Sequence, residues 1–102
     1  MLSSKDRAKL RAMANKIDTI VIIGKGGITE NIVKQADDAL KARQLIKCRV
    51  LETAFMSTRE ASDELAGLTG SEPVQVIGSR FVLYRPDPEN PLLSTGIAVK
   101  GK

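Results

Sequence analysis

Four consecutive β-branched residues, Ile20-Val21-Ile22-Ile23, run directly into Gly24-Lys25-Gly26-Gly27 and on into Ile28-Thr29-Glu30. A short, unbroken β-branched run reads as a buried strand, because branched side chains pack well on a pleated surface. Thr29 is a good helix N-cap, and Ile28 with Val33 has the spacing of a hydrophobic staple. The segment therefore demands a strand, a glycine turn and a helix in immediate succession. That helix extends to about Ala42 and turns Ile32, Ala36, Ala39 and Leu40 inward.

The flanking sequence adds further elements of both kinds. Ser3 and Asp6 form a capping box for a first helix over roughly 4–15, with Leu10, Met13, Ala14 and Ile17 on one apolar stripe. Leu45 to Leu51 alternates, placing Ile46, Cys48 and Val50 on one side and Lys47 and Arg49 on the other. Ser57 and Glu60 cap a third helix that buries Ala61, Leu65 and Leu68 and ends at Gly70. Val74 to Ile77 and Phe81 to Arg85 are strands joined by the two-residue hairpin signal Gly78-Ser79. The order α-β-α-β-α-β-β predicts a two-layer α/β (α+β) fold with a mixed four-stranded sheet. The expected single domain covers 1–86. Pro86, Pro88 and Pro91 stop the last strand, and 87–102 reads as a loose tail.

Charge divides the chain. Residues 1–50 hold eleven Lys/Arg and five Asp/Glu, a balance of +6, whereas 51–102 hold five and seven, a balance of −2. Lys5, Arg7, Lys9, Arg11 and Lys16 make the first helix cationic, as on a polyanion binder or on a helix face kept soluble by charge. The chain has no histidine and a single cysteine. Cys48 has neither an internal disulfide partner nor a histidine to activate it, so nucleophilic and metal-hydrolase readings lose their support. Asp37, Asp38, Asp63 and Glu64 read as solvated helix surface, with no catalytic carboxylate pair. The longest apolar run is far short of the ~20 residues of a membrane span. The N-terminus lacks a signal-peptide core, and a cytoplasmic protein without cofactor or metal is expected.

The glycine turn carries the functional signal. Glycines bring backbone N–H groups close to a ligand, and a following helix N-terminus favours phosphate. Lys25 adds a cation at the tip. The spacing excludes a Walker A loop, which needs Gly-Lys-Ser/Thr after four intervening residues, and a dinucleotide fingerprint, because Thr29 stands where the last glycine belongs. A Gly-x-x-Gly pattern remains, as in loops that clamp a single-stranded nucleic-acid backbone, with a purely structural turn as the bland alternative.

The ordered segments Leu10-Arg11-Ala12-Met13-Ala14, Ile23-Gly24-Lys25-Gly26-Gly27-Ile28-Thr29, Ala39-Leu40, Leu45-Ile46-Lys47-Cys48-Arg49-Val50, Val74-Gln75-Val76-Ile77-Gly78 and Leu83-Tyr84-Arg85 closely resemble the CRM domain. That family is named for chloroplast RNA splicing and ribosome maturation, and the likeness is to its stand-alone bacterial YhbY-like members. The resemblance spans about 4–85. It implies a fold similar to the C-terminal domain of translation initiation factor 3 and non-catalytic RNA binding through the loop and nearby basic surface. It also implies association with ribosomal RNA in large-subunit precursors during ribosome assembly. Cys48 departs from the aliphatic residue usual in the family. The candidate RNA-binding residues are Gly24, Lys25, Gly26, Gly27 and Thr29, with Lys5, Lys9, Arg11, Lys16, Lys47 and Arg85. Lys47 and Arg49 read either as an extension of the RNA-binding surface or, in preference, as the solvent side of a half-buried strand, and Arg85 as half of a structural ion pair as readily as a phosphate contact. Phe55, Phe81 and Tyr84 are expected in the core or at its edge, with base stacking the alternative for Tyr84. A DNA-binding chromatin-type protein and a sensor of a small phosphorylated ligand are the competing functions; a monomer is favoured.

Overall fold

Side-chain caps set where the helices begin. In the computed structural model, which describes residues 2–87, Ser3 Oγ accepts from the Asp6 N–H at 3.0 Å and Asp6 Oδ2 from the Ser3 N–H at 3.5 Å. This opens α1 (Ser4–Ala14). Thr29 Oγ1 accepts from the Ile32 N–H at 3.2 Å and opens α2 (Glu30–Arg43). Ser57 and Glu60 repeat the reciprocal box ahead of α3 (Thr58–Thr69). Such caps stabilise a helix by typically ~1 kcal/mol. Gly70 ends α3 with φ 68, and Gln44 ends α2 in the same left-handed region with φ 66.

The strands are β1 (Thr19–Ile23), β2 (Leu45–Val50), β3 (Glu72–Ile77) and β4 (Arg80–Tyr84). They pair in the order β1-β2-β4-β3. β1 and β2 are parallel, because α2 lies between them in sequence and returns the chain to the same end. β3 and β4 form the antiparallel hairpin expected at Gly78-Ser79, where Gly78 supplies φ 59. β3 opens with Glu72-Pro73, and its register shifts between Pro73 and Gln75.

The expected element order and mixed sheet are present, and the side chains divide into two cores. On one face Val21, Ile23, Ile46, Cys48, Val50, Phe81 and Leu83 pack against Ala36 and Leu40 of α2 and Ala61, Leu65 and Ala66 of α3. On the other face Leu45, Val74, Val82 and Tyr84 pack against Leu10 and Ala14 of α1. To the two expected layers α1 thus adds a partial third. β4 explains why: Phe81-Val82-Leu83-Tyr84 is buried on both sides, and a strand covered on both faces must be continuously apolar. Leu68 does not point inward as expected and is largely exposed. α3 instead turns Ser62 and Thr69 to the core, and Thr69 Oγ1 donates to the Leu65 carbonyl at 2.8 Å. Tail residues 88–102 lie outside the described residues.

Candidate nucleic-acid interface

Gly24 to Gly27 closes a tight turn directly after β1, with the Gly27 N–H donating to the Gly24 carbonyl at 2.9 Å. Gly26 and Gly27 have φ 101 and φ 68, so both positions favour glycine for backbone reasons alone. A Cβ on Gly27 would meet nothing within 4 Å, which leaves the turn open to a ligand. On its inner side the loop rests on the chain that follows β2. A Cβ at Gly24 would sit 3.4 Å from Leu51 Cδ1 and 3.6 Å from Thr53 Oγ1, and the Leu51 N–H donates to the Ile23 carbonyl at 2.8 Å. Lys25 and Gly26 are exposed at the tip, and Lys25 has no ion-pair partner among the described residues. Thr29 is occupied as the α2 cap, beyond which the first backbone N–H groups of the helix have no intrahelical acceptor.

The cations of α1 lie elsewhere. Leu10 and Ala14 pack over Leu45 and Tyr84, at the end of the sheet opposite the glycine turn. Arg7 anchors the helix there by donating to the Pro73 carbonyl at 2.6 Å, with Glu72 4.0 Å away. Lys5, Lys9, Arg11 and Lys16 are exposed on or just beyond this helix. The structure therefore does not bring them to the loop. Lys47, half-buried, lies between the two regions: it faces the α1 side of the sheet, two residues along β2 from Leu45 and opposite Val82.

Arg85 is committed to the fold. Its guanidinium donates to Asp37 Oδ1 at 2.7 Å, to the Thr69 carbonyl at 2.6 Å and to the Asp37 carbonyl at 3.2 Å. This fastens the end of β4 to α2 and α3. The hydrogen bond from Arg85 holds the Asp37 carboxyl below the ordinary aspartate range against partial desolvation, and the charges of Arg85 and Lys41 act in the same direction.

One aromatic departs from the sequence reading. Phe55 follows a 3-10 turn at Glu52–Ala54 and is 93% exposed with φ 54, not at the core edge. The other two aromatics, Phe81 and Tyr84, are fully buried, and the Tyr84 hydroxyl has no hydrogen-bond partner among the described residues. Burial, with the charge of Asp6 behind it, pushes the Tyr84 phenol up from its ordinary value, so it is a core residue and no stacking platform. Cys48 is buried as expected, and desolvation pushes its thiol up to about 12. A thiol so far from its thiolate is inert at neutral pH. Among the described residues no cluster of acids and thiols could hold a metal ion, and no helix is long and apolar enough to cross a membrane.

The CRS1/YhbY (CRM) domain matches residues 2–85. This chain belongs to the CRM family. It is 38% identical over 90 residues to Probable RNA-binding protein YqeI of Bacillus subtilis, covering 88% of this chain and 94% of that protein. A protein of Haemophilus influenzae named RNA-binding protein is 31% identical over 88 residues, covering 86% and 89% of the two chains. The solution structure of a Staphylococcus aureus protein superposes with a TM-score of 0.77 at 48% identity, covering 92% of this CRM chain and 98% of that one.

Proposed function

We propose that this CRM-domain protein is a non-catalytic RNA-binding protein that engages ribosomal RNA of large-subunit precursors during assembly, with the Gly24–Gly27 turn against the sugar–phosphate backbone. The observation that carries the reading is the turn itself: solvent-open, tipped by an exposed lysine and followed at once by the N-terminus of α2. Relatives named as RNA-binding proteins supply the polymer class. Lys25 neutralises phosphate at the turn, Lys5, Lys9, Arg11 and Lys16 form a separate cationic patch for a longer RNA, and Lys47 lies between the two. Arg85, held by Asp37 and Thr69, drops out of the contact set.

The test replaces both left-handed glycines. Gly26→Asp with Gly27→Asp adds two negative charges where phosphate is expected, while the space at Gly27 admits a side chain. Gel-shift with ribosomal RNA should show binding abolished while thermal unfolding remains cooperative; unchanged affinity would reduce the loop to a structural turn. With about five phosphates contacted, the log–log salt slope should lie near −3.5 to −4.5. Competition with duplex DNA at one salt concentration separates RNA from a chromatin-type target. Calorimetry with common nucleotides should give no heat, and a nucleotide-dependent signal would favour a small-ligand sensor. Sedimentation of the protein with large-subunit precursors checks the ribosomal assignment.

A further inference from the structure

One row of side chains crosses all four strands on the α1 side of the sheet, beyond the reach of that helix. Its members are Ile22, Arg49, Arg80 and Ile77, each directly opposite the next in the pairing register. All four are exposed, Ile22 at 51% and Ile77 at 61%. At 4.7–4.9 Å between neighbouring strands, the row is roughly 14 Å wide.

The centre of the row is a like-charge pair. The Val50 N–H donates to the Ser79 carbonyl at 2.8 Å, and the Arg85 N–H to the Gln44 carbonyl at 2.8 Å. Arg49 and Arg80 therefore occupy a non-hydrogen-bonded pair, the antiparallel position where opposite side chains come closest. Like charges placed directly opposite destabilise a sheet. Neither arginine has a carboxylate within ion-pair distance among the described residues. Five residues along the same segment, Arg85 shows how the fold treats an arginine it uses structurally, with an acid and two carbonyls around one guanidinium.

We propose that this uncovered half of the sheet is a second RNA-binding surface, in which Arg49 and Arg80 clamp a phosphate and Ile22 and Ile77 support unstacked bases or riboses on either side. A guanidinium fork matches phosphate bidentately, and here two of them stand directly opposite one another on neighbouring strands. The flanking isoleucines select single-stranded RNA, because a duplex hides its base faces and offers the sheet only its charged backbone. Position supplies the continuity: Ile22 lies two residues before Gly24, and Ile77 adjoins the Gly78-Ser79 turn at the same end of the sheet. A strand held at the glycine turn can continue across the row without leaving the surface. This second surface rests on the RNA reading given above.

The test uses the full chain and a fluorescently labelled single-stranded oligoribonucleotide, with affinity measured across a salt series. Arg49→Ser with Arg80→Thr should weaken binding about ten-fold or more, as expected when charge-assisted hydrogen bonds are removed. It should also make the log–log salt slope shallower by about 0.7, for the one phosphate left without its two arginines. The melting midpoint should not fall, since a repulsive pair has been removed. Ile22→Thr with Ile77→Thr should weaken single-stranded RNA and leave any duplex RNA binding unaltered. If the arginine variant keeps wild-type affinity and slope while the Gly26/Gly27 variant loses binding, the sheet surface is wrong and the loop reading stands. If the wild-type chain binds no RNA, both fall together. If the arginine variant instead breaks a wild-type dimer in sedimentation and leaves RNA affinity untouched, the face belongs to a second copy of the chain and the proposal is overturned.

Discussion

The α1 side of the sheet has two halves made from the same strands, and they are treated in opposite ways. At one end Leu45, Val82, Tyr84 and Val74 are sealed beneath Leu10 and Ala14. At the other, Ile22, Arg49, Arg80 and Ile77 face solvent. β2 and β4 each pass through both environments within six residues. α1, at eleven residues, is about 16 Å long and crosses the sheet over only one end of the strands. A helix too small to cover a sheet face leaves a rigid platform beside a core, and the core holds that platform in register.

The sharpest way to break this contrast is to cut into each half separately. Leu10→Ala should cost about 2–5 kcal/mol in urea unfolding, because it empties a fully buried site beneath α1. Its RNA affinity, measured well below the unfolding transition, should stay near wild type. Ile77→Thr on the open half should change stability by no more than about 0.5 kcal/mol. Similar losses from both substitutions would mean that the open half is structural after all.

A subtler effect separates the arginines. The folded-state pKa of Asp37 is depressed, so its pairing stabilises the fold fully at neutral pH. That contribution fades as pH falls through the ordinary aspartate value of 3.8 and is gone below the folded value. Acid unfolding followed by circular dichroism should therefore lose part of its steepness in Arg85→Met. Arg80→Thr should leave the acid limb unchanged, and an equal change in both would show that Arg80 has a structural partner. Smallest of all, Tyr84→Phe removes a buried hydroxyl that has no hydrogen-bond partner among the described residues. It should be neutral or stabilising by less than about 1 kcal/mol in the same urea assay. A loss of several kcal/mol would reveal a partner for that hydroxyl.

Local chemistry made much of the fold legible. The two Ser/acid capping boxes, the Thr29 cap, the Gly78-Ser79 turn and the alternation of β2 all act over a few residues, and they lie where their spacing puts them. The side of the sheet on which α1 lies was not legible. Phe81 to Tyr84 shows no alternation, and an unbroken apolar run does not say which of its two buried faces meets which helix. Leu68 misled because Ser62 and Thr69 fill core-facing positions of α3, and small polar residues do not register as apolar stripe. Phe55 occupies a left-handed position without the glycine or asparagine that signals one.

The candidate site divides along the same line. The glycine turn could be read because its φ requirements are written in its residues. That the first helix lies far from it, and that Arg80 faces Arg49, depends on the pairing of β2 with β4, segments some thirty residues apart.

The rim of the sheet has its own consequence. β1 and β3 are the outer strands, and open strand edges invite a neighbouring molecule to add its own backbone. β3 carries a proline at its second position and a shifted register just beyond it, while β1 is five residues long and also irregular after Thr19. Proline removes a donor, and a shifted register throws the remaining donors out of line with any straight partner. A polymer crowding many copies together along its length would thus find them poor templates for one another, and clustering on a shared strand need not turn into fibre.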